Sequence, residues 1–196
     1  MERLLEQATP EAIYLASDVG WFSVISLVGR ITGTAAHFDI CQSAANSVLS
    51  SMSATRVERV LASLSLALMA AQVADIGVIE EHWDNLESSR GKMLGAGNTV
   101  LVNADRVLGI LAQTMGNLDE SQAHFEDSLA FCRKAGYRPE LAWICCDYSD
   151  TLRARDAEGD QPKAIALLDE SLAISSELGM RPLMERVLSR REILKA

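Results

Sequence analysis

Residues 116–139 read GNLDESQAHFEDSLAFCRKAGYRP, and residues 159–182 read GDQPKAIALLDESLAISSELGMRP. The two stretches align without a gap at a shift of 43 residues, which places FEDSLA on LDESLA and AGYRP on LGMRP. A match of this length at one fixed shift indicates an internal repeat, and a repeat of this size is typical of stacked structural units.

Weaker copies of the same pattern lie upstream. Ala74-Asp75-Ile76 and Trp83 match residues 116–118 and Phe125 at a shift of 42 residues. A fainter copy runs from Gly33 through Ala45 to Leu49. The repeat therefore extends into the first half of the chain, with less distinct boundaries.

Each unit is predicted to be a helical hairpin. In the third unit, helix A spans about 99–115 and helix B about 119–135, with an apolar stripe at helical spacing along helix B. Gly136 is predicted to end helix B, and Pro139 suits the first turn of the next helix. In the fourth unit Asp160 is predicted as the N-cap. The stripe of the third unit comprises Leu118, Phe125, Leu129 and Cys132.

The full pattern predicts four hairpins and a closing helix in one domain, 1–196. The hairpins span about 10–51, 55–91, 98–136 and 139–179, and the cap helix spans 182–195. A single hairpin cannot bury both of its faces, so neighbours are expected to stack and share a continuous core.

The composition agrees with an all-α protein. The apolar residues make up 48% and are rich in Leu and Ala, while aromatic residues make up only 5%. The net charge of −9 argues against nucleic acid as the main partner, because phosphate binding needs a basic face. No apolar run is long enough to span a membrane. The four cysteines form no CxxC pair, which favours reduced thiols and a cytoplasmic location.

Several residues resemble the tetratricopeptide family. Leu108-Gly109 matches the Leu-Gly pair of helix A, where the small residue lets helix B approach, and Gly116 matches the turn between the helices. Phe125 matches the large residue of helix B, and Ala164 the small packing residue of the next unit. The resemblance implies a right-handed α-solenoid that binds protein or peptide. The period of 42–43 residues departs from the family's repeat of about 34, and serine replaces the usual alanine at 121, 128 and 171.

The last third of the chain carries a second resemblance. DYSDTL at 147–152, ALLDESLAI at 166–174 and ELGMRPLMERVL at 177–188 resemble the C-terminal helical repeats of large bacterial signalling ATPases. Those proteins also carry a nucleotide-cyclase or a LuxR-type DNA-binding domain. The resemblance implies a module of signal transduction or transcription regulation, either as part of a longer protein or as a free-standing relative. No GxxxxGK[ST] motif occurs here.

No catalytic or metal-binding constellation is evident, so we expect no enzyme activity, cofactor or metal. His37, His82 and His124 are 45 and 42 residues apart, which places them about one hairpin from each other. Stacked helix axes are about 8–10 Å apart, too far for imidazoles to share one zinc ion, so these histidines are predicted to lie at the surface or to be partly buried. Cys41 lies four residues after His37 without any sign of an oxyanion hole.

The concave surface formed by the A helices is the predicted partner-binding site. The tetratricopeptide register assigns seven residues to it: Asn103, Arg106, Ile110 and Gln113 in the third unit, and Ser149, Asp150 and Arg153 in the fourth. A protein or peptide is the expected partner. The alternative is a sensor that closes on a small effector in the same groove, which an enclosed apolar pocket would favour.

Both ends of the array have unusual composition. The stretch 21–28 is apolar on nearly every side, which favours contact with a preceding repeat or a homodimer through this N-terminal hairpin. The last helix carries several basic residues, and a solvated cap face explains them better than contact with nucleic acid.

Overall fold

The computed structural model describes residues 19–35, 38–95 and 102–195, and in these ranges it contains nine α-helices and two short strands. The helices are α1 (Val19–Thr32), α2 (Phe38–Ser50), α3 (Arg56–Val73), α4 (Ile76–Glu87), α5 (Ala104–Thr114), α6 (Leu118–Ala135), α7 (Arg138–Arg155), α8 (Asp160–Glu177) and α9 (Arg181–Lys195). Strand β1 (Met93–Leu94) pairs with β2 (Val102–Asn103). The all-α repeat fold is confirmed, and no helix of the described part is long and apolar enough to cross a membrane.

The chain divides into two compact units, which are larger than the predicted repeats and are described separately. The first unit is Met1–Val102 and the second unit is Asn103–Ala196. In the first unit α3 is the central helix and packs against α1, α2 and α4. Every residue from Val60 to Ala70 is buried, as expected for a helix with neighbours on several sides. The single-domain arrangement of four hairpins stays a prediction.

Local signals set the ends of α3. A capping box begins it, with the Thr55 side chain accepting from the Glu58 amide and the Glu58 carboxylate accepting from the Thr55 amide. Ala74 ends it in the left-handed conformation, at φ 55°. Asp75 then caps α4 by accepting from the Val78 amide. The hairpin predicted at 55–91 thus consists of α3 and α4, although its second helix ends at Glu87.

The second unit is a continuous helical array. Each helix from α5 to α9 packs on the next one, and the A helices α5, α7 and α9 also contact each other in order. Gly136, at φ 68°, ends α6 as predicted, because glycine adopts this conformation without steric cost. The chain then enters α7 with Pro139 in its first turn.

Two predictions at helix starts are wrong. Asp160 is not the N-cap of α8, because that position belongs to Gly159; the Asp160 carboxylate accepts from the Ala157 amide instead. Helix A of the third repeat starts at Ala104 rather than near 99. Asn103 is extended as part of β2, and its side-chain oxygen accepts hydrogen bonds from the Asp105 and Arg106 amides in the first turn of α5. Residues 96–101 lie outside the described residues.

The terminal helix α9 buries Leu183 and Val187, as predicted for a cap. In α7 the Ala142 carbonyl accepts from Ser171 of α8, so this side of α7 packs on a following helix. Glu185 occupies the equivalent position of α9, 43 residues later, and is exposed. The position that contacts the next helix in α7 thus carries a charged, exposed side chain in α9.

The small residue of the Leu108-Gly109 pair allows the close approach that the tetratricopeptide resemblance implies. A Cβ atom added to Gly109 would lie 2.8–3.0 Å from three ring atoms of Phe125. The Phe125 ring is fully buried and stacks on Tyr148, with ring centroids 5.3 Å apart. Gly109 therefore fixes the spacing of α5, α6 and α7 around one aromatic pair.

Gly109→Ala should destabilise the protein by about 1–3 kcal/mol, because the new methyl overpacks the Phe125 ring. Gly77→Ala is the matched control, since an added Cβ there has only the Asp75 Oδ1 nearby, at 3.6 Å. The control should be neutral or stabilising by up to about 1 kcal/mol. Urea unfolding measures both changes. Equal stability of the two variants would contradict the close approach.

Candidate interaction surface

Four charged side chains tie the A helices of the second unit together. We name Arg106, Glu140, Asp147 and Arg186 the charged cluster. Arg106 Nη1 lies 2.9 Å from Glu140 Oε2, and Arg106 Nε lies 2.8 Å from Asp147 Oδ2. Arg186 Nη2 lies 3.5 Å from the other oxygen of Asp147. The cluster therefore runs from α5 through α7 to α9.

Arg106, Glu140 and Asp147 are withdrawn from solvent and paired through the guanidinium, whereas Arg186 is partly exposed. Arg106 is only 5% exposed, and Glu140 and Asp147 are buried as well. The Asn103 amide donates to Glu140 Oε1 at 2.8 Å, and the Trp143 ring lies 5.4 Å from the Arg106 guanidinium. A buried guanidinium is tolerated when both edges meet carboxylates, although such pairs contribute more to register than to net stability.

Burial and ion pairing shift the pKa values of Glu140 and Arg106 in opposite directions. Burial raises the pKa of Glu140, and the charge of Arg106 and the Asn103 amide offset this effect only in part. Burial alone would lower the pKa of Arg106, but the charges of Glu140 and Asp147 and their hydrogen bonds raise it. Arg106 is therefore a permanent cation, while Glu140 carries its negative charge at a cost.

A second ion pair crosses from α7 to α9 nearer to the solvent. Arg190 binds Asp150 through Nε, at 2.8 Å from each carboxylate oxygen, and through Nη2, at 2.6 Å from Oδ2. Both side chains are partly exposed. The fork fixes the helices at a point three residues beyond the charged cluster on α7, so α9 is held at two successive turns.

The spacing of these pairs is a signal in the sequence. Arg106 and Asp147 are 41 residues apart, and Asp150 and Arg190 are 40 apart. Both separations are close to the repeat period. Opposite charges one period apart on A helices thus pair across neighbouring repeats, and this spacing is visible in the amino-acid sequence itself.

The seven predicted groove residues do not form one exposed surface. Four are buried in the second unit: Asn103, Arg106, Ile110 and Ser149. Three are partly or fully exposed: Gln113, Asp150 and Arg153. Six of the seven lie on α5 or α7, and Asn103 is the N-cap that precedes α5. The pairing of charges and the cap at Asn103 remove the first group from solvent. Their role in partner binding stays a prediction.

Trp143 is the functional candidate that the sequence reasoning missed. It is partly exposed, lies seven residues before Asp150 on the same side of α7, and contacts Arg106 of α5. We name Gln113, Trp143, Asp150, Arg153 and Arg190 the A-helix face. An aromatic side chain next to arginines is the composition of many binding hot spots.

The B helices α6 and α8 are joined by their own ion pairs. Arg133 Nη2 lies 2.7 Å from Glu170 Oε2, and both side chains are substantially exposed. Nearby, Glu126 accepts hydrogen bonds from Tyr148 and Lys163. Burial alone would raise the pKa of Glu126, but these two hydrogen bonds and the Lys163 charge lower it. The charged side chains of the B helices named here therefore also pair within the chain.

The cysteines and two of the histidines lie in the interior. All four cysteines are buried free thiols, and burial raises the pKa of Cys41 to about 12 and that of Cys132 to about 11. His82 and His124 are also buried, whereas they were predicted to be at most partly buried at the surface. Across 19–35, 38–95 and 102–195, no three His, Cys, Asp or Glu side chains are grouped to hold a metal. His37 lies outside the described residues.

Comparison with known proteins supports the repeat assignment. A family model described as Tetratricopeptide repeat matches residues 101–177, which include helices α5 to α8. No curated protein and no solved structure matches the chain. The match supports tetratricopeptide-like repeats in the part of the chain that carries the charged cluster.

Arg106→Leu should destabilise the protein by about 3–5 kcal/mol, because the buried Glu140 carboxylate loses its cation and the buried Asp147 carboxylate keeps only Arg186. Arg133→Leu is the matched control, since it breaks an exposed ion pair that also joins neighbouring repeats. This variant should lose less than about 1 kcal/mol of stability. Chemical denaturation of both variants measures the difference. A cost for Arg106→Leu as small as that of the control would show that the cluster does not hold the helices.

The raised pKa of Glu140 predicts a pH-dependent effect. A carboxyl group with a higher pKa in the folded state binds its proton more tightly there, so its contribution to stability is present below the unfolded pKa of about 4.3 and is lost as the pH rises through the folded pKa. The stability of Glu140→Gln relative to the unmodified protein should therefore increase with pH from about 4.3 upward. Unfolding free energies at several pH values test this, and a relative stability that falls with pH would show that the folded pKa is lowered instead.

Proposed function

We propose that this chain is a non-catalytic module that binds a protein or peptide at the A-helix face. Tetratricopeptide repeats generally mediate protein–protein interaction, and the match at 101–177 includes α5 and α7, two of the three helices that form this face. The observation that carries the proposal is the partly exposed Trp143 between Arg106 and the Asp150–Arg190 pair. Such a site offers an apolar anchor with polar groups on both sides.

The seven predicted groove residues then have two different roles. Gln113, Asp150 and Arg153 are proposed to touch the partner, because their side chains reach solvent. The buried members are proposed to hold the face in shape: Asn103, Arg106, Ile110 and Ser149. Binding would thus use fewer residues than the sequence alone suggested, and it would gain Trp143.

The proposed face differs in charge from the rest of the chain. Arg153 and Arg190 face only Asp150 among the charged members of the face, whereas the whole chain carries a net charge of −9. A locally positive surface on an acidic protein favours partners with exposed carboxylates and orients their approach. The sensor that closes on a small effector in this groove remains the alternative proposal.

We further propose that the chain belongs to, or is related to, a bacterial regulator of signal transduction or transcription in the cytoplasm. The support is the resemblance of the segments at 147–152, 166–174 and 177–188 to the helical repeats of signalling ATPases. The full reading frame tests this proposal. An adjoining ATPase, cyclase or DNA-binding segment would support it, and an unrelated enzyme domain would contradict it. A homodimer through the N-terminal hairpin also stays a prediction.

Arg153→Glu should weaken partner binding at least about tenfold, because it places a negative charge on the proposed face. Arg181→Glu is the matched control, since it makes the same change at an exposed position at the start of α9. Trp143→Ala should also cost about tenfold or more, as expected of a hot-spot residue. Affinity capture under quantitative conditions, followed by titration of the recovered partner, measures all three. Equal recovery with Arg153→Glu and Arg181→Glu would exclude Arg153 from the site.

A further inference from the structure

The first unit contains a cleft that the proposed protein-binding role does not use. It lies between the first two turns of α3 and the segment from Ser89 to Gly95, and its volume is about 270 Å³. All the residues that line it belong to Met1–Val102, whereas the A-helix face belongs to the second unit. The cleft is therefore a separate candidate site.

The floor of the cleft is apolar. Val60 and Leu61 of α3 and Leu94 of β1 form it, and all three are buried. Side chains of this kind attract the apolar part of a ligand, because binding removes hydrocarbon from water on both sides. The cleft is half-open, so a ligand can enter without unfolding of the surrounding helices.

The rim of the cleft is positively charged. Arg56 and Lys92 line it, and their side chains meet at Ser88: Arg56 Nη2 donates to Ser88 Oγ at 3.4 Å, and Lys92 Nζ donates to Ser88 O at 3.2 Å. None of the described residues that line the cleft is acidic. Two cations drawn to one point beside an apolar floor, in a chain of net charge −9, favour an anion at this place.

A serine hydroxyl adds a polar group to the cleft wall. Ser89 lines the cleft and is only 5% exposed, and its amide donates to the Leu86 carbonyl. Its hydroxyl makes no hydrogen bond to any group in the described ranges of the chain, but its oxygen still reaches solvent. A polar ligand atom in the cleft can therefore replace water at this hydroxyl.

We propose that this cleft binds a small organic anion, a carboxylate attached to an apolar body. The apolar body lies on Val60, Leu61 and Leu94, and the carboxylate meets Arg56 and Lys92, with Ser89 as a hydrogen-bonding group on the wall. The volume lies just below the range of about 300–1,000 Å³ for drug-sized ligands. The ligand is therefore a compact acid of about a dozen non-hydrogen atoms.

Two aromatic probes test the proposal on the full chain. 2-Naphthoate has the proposed chemistry, and 2-naphthamide has the same shape without the charge. Titration followed by NMR should show saturable binding of 2-naphthoate with a dissociation constant of about 1 mM or lower, as expected from the usual binding energy per ligand atom. The amide should bind at least about fivefold more weakly, because it lacks attraction to the rim cations.

The chain offers a matched pair of variants. Val57 lines the cleft and is 56% exposed, and Val73 lies at the far end of the same helix and is 66% exposed. Val57→Asp should weaken 2-naphthoate binding about tenfold by repulsion of the carboxylate, whereas Val73→Asp should change it less than about twofold. Both positions are exposed, so both variants are expected to fold, and circular dichroism verifies this. Arg56→Gln with Lys92→Gln should reproduce the loss.

Three results would overturn the proposal. These are the absence of saturable 2-naphthoate binding, equal binding of the acid and the amide, and equal effects of Val57→Asp and Val73→Asp. The first result leaves the protein-binding role untouched, because that role is tested at Arg153 and Trp143 in the other unit. Selective loss at Val57 together with preference for the acid would establish an anion site in the first unit.

Discussion

The second unit depends on one buried guanidinium. Arg106 binds carboxylates of α7 through two of its nitrogens, and one of these carboxylates also meets Arg186 of α9. A guanidinium accepts only a narrow range of geometries, and burial makes an unmatched charge costly. The helices must therefore stack in the register that completes the cluster. Apolar contacts such as that of Gly109 with Phe125 then fill the space that this register leaves.

The same constraint shapes the proposed binding face. Most of the polar groups on the A helices are already paired within the chain, so the surface does not offer a row of free charges. Trp143 is partly exposed and Arg153 is exposed, and we propose them as the apolar anchor and the cation of the face. The proposed face is small but well ordered, because Arg106 and the Asp150–Arg190 pair hold the helices on either side of it. Order before binding reduces the entropy lost on association.

The first unit is organised by a different principle. Its central helix α3 is buried over its middle turns, and the capping box at Thr55 and Glu58 defines its start. The charged residues of α3 all lie in its first four residues. The proposed anion site combines these two features, since an apolar floor ends at a rim of two cations. The two units thus present chemically different surfaces.

The sequence by itself determined the elements that depend on neighbouring residues. Gly136 and Pro139 mark the joint between α6 and α7, and the repeat at 43 residues predicted the succession of hairpins, because helix ends and apolar stripes are local properties. The tertiary structure alone decided which polar groups reach solvent. Arg106 and Arg153 have the same chemistry, yet one is buried and the other exposed, because burial depends on carboxylates that lie about one repeat away in the chain and adjacent in space. The short strand before α5 also depends on tertiary contacts, since β2 pairs with β1 and the Asn103 amide donates to Glu140 of α7.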